Sequence, residues 1–204
     1  MHVQKFGGAL FGSSASIEAL AAILRREAGG IAVISAFGGV TDGLIRAAKS
    51  AERREVCAND IEAMAEAHRA VARRFIDGAE LANALGDIDA SIAELRELLH
   101  GIELLRDLTP RVLDLVMSFG ERLSAPLVAA VLRAGGIPAR YRDARELLLT
   151  DNAFGQARSQ DAESKRRVIE AFGSGQSGPS PCCPASSALR LMATPRPLGA
   201  AAPT

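Results

Sequence analysis

The feature that most constrains the fold is a unit that occurs twice near the amino terminus: a short apolar strand, a glycine-rich loop and an amphipathic helix. Val3 to Phe6 read as the first strand, running into Gly7-Gly8, and Ser16 to Arg26 follow with Ile17, Leu20 and Leu24 on one helical stripe. The second copy starts at Ile31-Ala32-Val33-Ile34, an uninterrupted apolar run that suits a strand covered on both faces, as in a parallel sheet. It ends in Ser35-Ala36-Phe37-Gly38-Gly39, and a helix from about Thr41 to Arg54 comes next. This alternation predicts an α/β layer architecture with a mainly parallel sheet.

Loops that leave adjacent parallel strands open on one crevice. Lys5-Phe6-Gly7-Gly8 puts a cation and two residues without side chains where backbone N–H groups can approach a phosphate. A Gly-Gly pair after a strand also serves as an ordinary turn. The second loop, Ser35 to Asp42, combines glycines and hydroxyls with a helix amino terminus, whose dipole favours an anion. Thr41 or Asp42 equally suits a plain helix cap.

The middle of the chain reads as helix from Asp60 to Ile76 and again from Ile88 to Arg106, where Ile88, Ile92, Leu95, Leu99 and Ile102 share a face. Thr109-Pro110 is a cap and first-turn pair that opens a third long helix. It runs to about Ala134, stops at Gly135-Gly136 and feeds a strand from Ile137 to Tyr141. On that helix Val112, Val116, Phe119 and Leu123 form one apolar stripe, and Glu121 points the other way, towards Met117, Ser118, Ser124, Ala125 and Val128. Apart from Asp114 that second face is also small or apolar, so the helix is expected to be packed on both sides. A carboxylate buried there needs a partner or a task; the alternative is a surface glutamate beside Arg122. His68 and His100 have no companions at ligand spacing and read as structural. Arg140-Tyr141-Arg142-Asp143 ends a strand, either lining the crevice or solvated.

Composition narrows the function. Twenty-four basic and twenty-four acidic residues cancel, which argues against nucleic acid or an anionic membrane as partner and for a small molecule. No apolar run is expected to cross a bilayer and no signal peptide is seen, so a cytoplasmic location is expected. Cys57 stands alone and Cys182-Cys183 are vicinal, so neither a disulfide framework nor a metal site of the chain's own is expected. From Gly173 the chain turns into a Gly, Ser, Pro and Ala-rich stretch without periodicity, expected to be disordered.

Taken in order, these segments resemble the aspartokinase family, within the amino-acid kinase superfamily. Val3-Gln4-Lys5-Phe6-Gly7-Gly8 is similar to its amino-terminal signature, and Ile34 to Asp42 to its second loop. Met117-Ser118-Phe119-Gly120-Glu121-Arg122-Leu123-Ser124 is a third match, followed by Tyr141 to Arg145 and Thr150 to Gly155. The resemblance implies an incomplete three-layer αβα amino-acid kinase fold. Residues 1–172 would be the substrate-side part of the kinase domain, with a long helical insertion similar to the lysine-sensitive and homoserine-dehydrogenase-fused branch. Residues 173–204 would be the disordered tail, and the nucleotide-binding half and regulatory ACT domains would be absent.

The function so implied is phosphorylation of the β-carboxylate of L-aspartate to 4-phospho-L-aspartate, the first step toward lysine, threonine and methionine. ATP and Mg2+ would be required, in a homo-oligomer when the family member is intact. Lys5 would be catalytic, contacting the transferring phosphate, and Gly7 and Gly8 would let the backbone approach it. Ser35 and Thr41 would bind the substrate, and Glu121 would receive its ammonium group. Ala9-Leu10 replace the family's Thr-Ser beside the phosphates, which should impair activity. One rival is another amino-acid kinase, acting on glutamate, carbamate or a nucleotide, against which Ser118 to Glu121 argue. The other is a non-catalytic fragment that only associates with a full-length subunit.

The tail carries a further expectation. Reading each codon from the third base of the present one, Cys183 to Leu189 permit Pro-Gly-Phe-Ile-Gly-Ala-Thr and Leu198 to Thr204 permit Gly-Arg-Gly-Gly-Ser-Asp. Both are family motifs in family order, so a frame slip is expected between about Phe172 and Pro181. This polypeptide would then lack the arginine and aspartate of the second motif and be inactive alone.

Overall fold

The computed structural model describes residues 3–8, 14–26, 30–55, 58–149, 161–172 and 189–193. The elements are β1 (Val3–Phe6), α1 (Ser14–Arg26), β2 (Ile31–Ile34), α2 (Val40–Glu52), α3 (Ala58–Phe75), α4 (Gly78–Leu105), α5 (Pro110–Ala134), β3 (Ala139–Arg142), a 3₁₀ turn (Ala144–Glu146), α6 (Asp161–Phe172) and β4 (Leu189–Ala193). The strands form one sheet in the order β1-β2-β4-β3, with every pair parallel. Val3 pairs with Ile31 and Phe6 with Ile34, so β1 and β2 end level and their two glycine loops leave the same edge.

Strand alternation sorts β2 between two cores. Ala32 and Ile34 join α1, α2, α3, α4 and α5 in the main core, whereas Ile31 and Val33 pack with Leu147, Val168 and Phe172 of the α6 side. The sheet thus lies between α6 and the larger helical layer, giving the expected three layers. Helix α5 is the centre of that layer, with buried side chains on every face from Val116 to Leu132. By length and composition it could cross a membrane, contrary to the expectation that no run would. The reason lies in its place: 78% of its most apolar window is buried inside the protein, among other helices and strands.

Each end of α5 has a local cause. Thr109 accepts a hydrogen bond from the Val112 N–H at 3.3 Å, with Pro110 in the first turn. At the far end Gly136, with φ of 77°, turns the chain so that the Ile137 N–H reaches the Leu132 carbonyl at 2.8 Å. Ile137 is spent on that closure, and β3 therefore starts two residues later than the apolar run suggested. Helix α4 starts at Gly78 rather than near Ile88, because Leu81, Ala84 and Leu85 carry its core stripe through Gly86. The interior glycine costs about 1 kcal/mol relative to alanine, less than the added burial returns.

The carboxyl-terminal stretch also departs from expectation. Composition suggested no order anywhere beyond residue 172, yet Leu189–Ala193 lie between β2 and β3 and pair with both. Composition registers the entropy of ordering a whole tail, but not the two ladders of backbone donors and acceptors that flank this one slot. The edge strands of the described sheet are β1 and β3.

Candidate functional site

The two glycine loops meet. A methyl group placed on Gly8 would lie 2.5 Å from the Ala36 carbonyl oxygen, and one placed on Gly38 would lie 3.4 Å from the Gly8 carbonyl oxygen. Only backbone fits between them. The Ser35 N–H donates to the Phe6 carbonyl at 3.2 Å, holding the second loop against the end of β1. Gly39 then takes φ of 77° to enter α2, a conformation that favours glycine. Val40 donates to the Phe37 carbonyl at 3.1 Å and Gly43 to the Gly39 carbonyl at 3.0 Å, so the loop closes directly into the helix.

Helix α5 comes against this loop from the core side. At Gly120 an added methyl would sit 2.6 Å from the Ala36 Cβ, so glycine is what permits the approach. Ser124 Oγ donates to the Ser35 carbonyl at 3.0 Å, and the Ala36 N–H donates to Glu121 Oε1 at 3.4 Å. Glu121 is 6% exposed, which settles the choice between an inward and a surface carboxylate. In the sequence Gly120 and Ser124 stand out only as parts of a motif. A glycine inside an otherwise apolar helix is the signal that marks such a close approach.

Of the residues singled out, Gly8, Ser35 and Glu121 are gathered here through backbone and side-chain contacts. Thr41 is half-buried in the first turn of α2, next to the loop. Lys5 is exposed on β1, opposite Val33, and Gly7 has open space around its Cα. Ala9 and Leu10, and all of Thr150 to Gly155, lie outside the described residues. His68 is buried and His100 exposed.

The other side of α5 is chemically different. Arg122 bonds both oxygens of Glu94 on α4, one contact at 3.0 Å, and its guanidinium lies 4.1 Å from the Phe119 ring centroid. The Arg122 hydrogen bond holds Glu94 below the usual carboxylate range. Nearby, burial and then the Asp143 charge push Tyr141 up to about 12. Burial acts to raise Asp143, but its hydrogen bonds from Arg145 outweigh this and hold it low; it caps the 3₁₀ turn by accepting from the Arg145 N–H at 2.9 Å. A hollow of about 330 Å³ opens on this side, lined by Asp87, Arg122, Pro126, Arg133 and Tyr141 among others. It contains none of Lys5, Thr41 or Glu121, and its arginines are already matched by Glu94 and Glu80.

The arrangement of paired strand-end loops over a buried carboxylate defines a class. The amino acid kinase family model matches residues 1–177, and the chain belongs to that family. Its likeness within the family is to aspartokinases. It is 31% identical over 83% of its length to the bifunctional aspartokinase/homoserine dehydrogenase 1 of Arabidopsis thaliana, of which it spans 19%. It is 34% identical over 71% of its length to aspartokinase 1 of the same plant, spanning 26% of that protein. In three dimensions it is similar to E. coli aspartokinase III, with a TM-score of 0.76, 20% identity, and coverage of 94% of this chain and 40% of that one. That structure contains lysine and aspartate; a second, with a TM-score of 0.74, contains aspartate and ADP. The chain thus spans well under half of the proteins it matches.

Proposed function

We propose that this chain is the substrate-side part of an aspartate kinase, with L-aspartate seated between Glu121 and the second loop. The observation that carries this is the buried Glu121 carboxylate held against the Ala36 N–H, at the edge where both glycine loops emerge. Glu121 receives the substrate ammonium, a charge-assisted hydrogen bond strengthened by burial. Ser35 and Thr41 hydrogen-bond the substrate and hold its side chain towards β1. Lys5 neutralises the transferring phosphoryl group, and the backbone at Gly7 and Gly8 approaches it.

In the reaction a β-carboxylate oxygen of aspartate forms a bond to the γ-phosphorus as the bond from that phosphorus to the β,γ-bridging oxygen breaks. ADP departs with the electron pair. Positioning and charge neutralisation carry such a transfer, which suits a site of N–H donors and one lysine rather than a general base. Mg2+, when bound, would be held by the nucleotide phosphates and would neutralise charge there.

The alternative reading is a non-catalytic fragment that only associates with a full-length subunit. Calorimetric titration of L-aspartate into the purified chain, paired with an ATP-dependent hydroxamate assay, separates them. Aspartate binding in preference to glutamate supports the site; hydroxamate formation removes the inert-fragment reading; no binding of aspartate overturns the substrate assignment. We also propose that the tail is translated out of frame, in keeping with a family match that stops at residue 177. Sequencing the underlying DNA tests this, and a frame in which no single-base change restores the two motifs refutes it.

A further inference from the structure

The second loop has a support on its far side that no part of the proposed chemistry uses. His68, on α3, has no exposed surface, and its ring stacks on Phe37 with centroids 4.5 Å apart and planes 4° from parallel. Its Nδ1 lies 2.8 Å from the Met64 carbonyl oxygen. A carbonyl only accepts, so Nδ1 carries the proton and Nε2 is the acceptor nitrogen. That Nε2 is buried with no hydrogen-bond partner among the described residues. Burial also holds the imidazole below its ordinary pKa, which keeps this neutral tautomer in place at neutral pH.

An unmet acceptor in a core lowers stability, so packing alone would favour an apolar side chain here. What the imidazole adds is direction: its Nδ1–H anchor on Met64 sets the plane that Phe37 lies against. Phe37 sits between Ala36, whose N–H meets Glu121, and Gly38, which touches Gly8, and its own carbonyl takes the Val40 N–H. Fixing this ring therefore fixes the backbone of the whole loop.

We propose that His68 is a positioning residue, through which α3 of the helical insertion holds the Ser35 to Gly39 loop in the conformation that receives the amino-acid substrate. The substrate half of this rests on the aspartate reading above; the loop-holding half does not.

Hydrogen exchange on the full chain tests it, followed at the amides of Ala36 and Val40 and at those of Leu95 and Leu99 in α4. His68→Ala is expected to speed the loop amides by about tenfold, the loss of one aromatic pair, and the α4 amides by much less. His68→Phe, which restores a ring but not the Nδ1–H anchor on Met64, is expected to return only part of the protection. Equal acceleration in both regions, or equal acceleration by the Ala and Phe variants, overturns the proposal. In parallel, calorimetry with L-aspartate is expected to show about tenfold weaker binding for His68→Ala and partial recovery in His68→Phe. Wild-type chain that does not bind aspartate refutes the substrate reading and the substrate half of this one, while loop exchange still decides whether His68 holds the loop.

Discussion

Glu121 and Arg122 are neighbours in sequence on the same helix, yet the fold sends them to opposite fates. Glu121 faces the sheet-end loops and is met by a backbone N–H, while Arg122 faces α4 and is matched by a glutamate and an aromatic ring. Desolvating a carboxylate is costly, and a protein that needed only stability would place an apolar residue at 121. On the Arg122 side the charges are mutually satisfied, and the Glu94 carboxylate is in contact with solvent. The lesson is that a charged residue points to function when its environment is dry and its partner is a loop backbone, and to ordinary surface pairing when both partners are side chains at the rim.

The sharpest way to break that contrast is Glu121→Gln, which keeps shape and removes charge. Aspartate affinity is expected to fall by about 100-fold, equivalent to roughly 2.7 kcal/mol, with the chain still folded. Calorimetry with circular dichroism as the folding control reads this directly, and unchanged affinity would sink the assignment of Glu121 to the ammonium. Next in size is Gly120→Ala. The added methyl meets the Ala36 Cβ at 2.6 Å, and both belong to packed backbone segments. A stability loss of about 1–3 kcal/mol is expected in urea unfolding, as for other overpacked core positions.

Much of this was legible in the sequence, for physical reasons that differ by element. Val3–Phe6 and Ile31–Ile34 are visible because fully covered parallel strands leave unbroken apolar runs, and α5 because Thr109-Pro110 and Gly135-Gly136 punctuate both ends. The burial of Glu121 is visible because the whole face around it is small or apolar. Its partner is not, since the Ala36 N–H is 85 positions away and backbone groups leave no trace in residue identity. His68 reads as an inert core histidine for the same reason: only the folded chain reveals that Phe37 is the ring beneath it. The place of Leu189–Ala193 between β2 and β3 is a property of the flanking strands and is invisible in the tail itself.

A third expectation concerns pH and the support beneath the Glu121 face. Burial lowers the His68 pKa from the ordinary 6.5, so the folded protein binds fewer protons than the unfolded chain once the pH falls below that value. Its contribution to stability is intact above about pH 6.5 and is lost as the pH drops towards the folded pKa, with a limiting slope of about 1.4 kcal/mol per pH unit. Urea unfolding between about pH 7 and 5 should show this slope in wild type and a flatter one in His68→Phe, since no other imidazole is buried among the described residues. Identical slopes would mean that His68 takes up its proton over the same pH range in the folded and unfolded chain, so that burial does not lower its pKa.

The smallest effect belongs to the opposite side of α5 and sharpens the comparison by failing to matter. Arg122 is mostly covered, but Glu94 is 56% exposed, so solvent screens the pair and its two side chains lose rotamer freedom in forming it. Arg122→Ala should therefore cost no more than about 1 kcal/mol, part of it from the lost contact with Phe119 rather than from charge. A double-mutant cycle with Glu94→Ala isolates the ionic share. Aspartate binding should be unmoved in all three variants, because Arg122 and Glu94 bond each other rather than the glycine loops. Should Arg122→Ala weaken aspartate binding as much as Glu121→Gln does, the two faces are not independent, and the helix rather than the carboxylate is what the substrate senses.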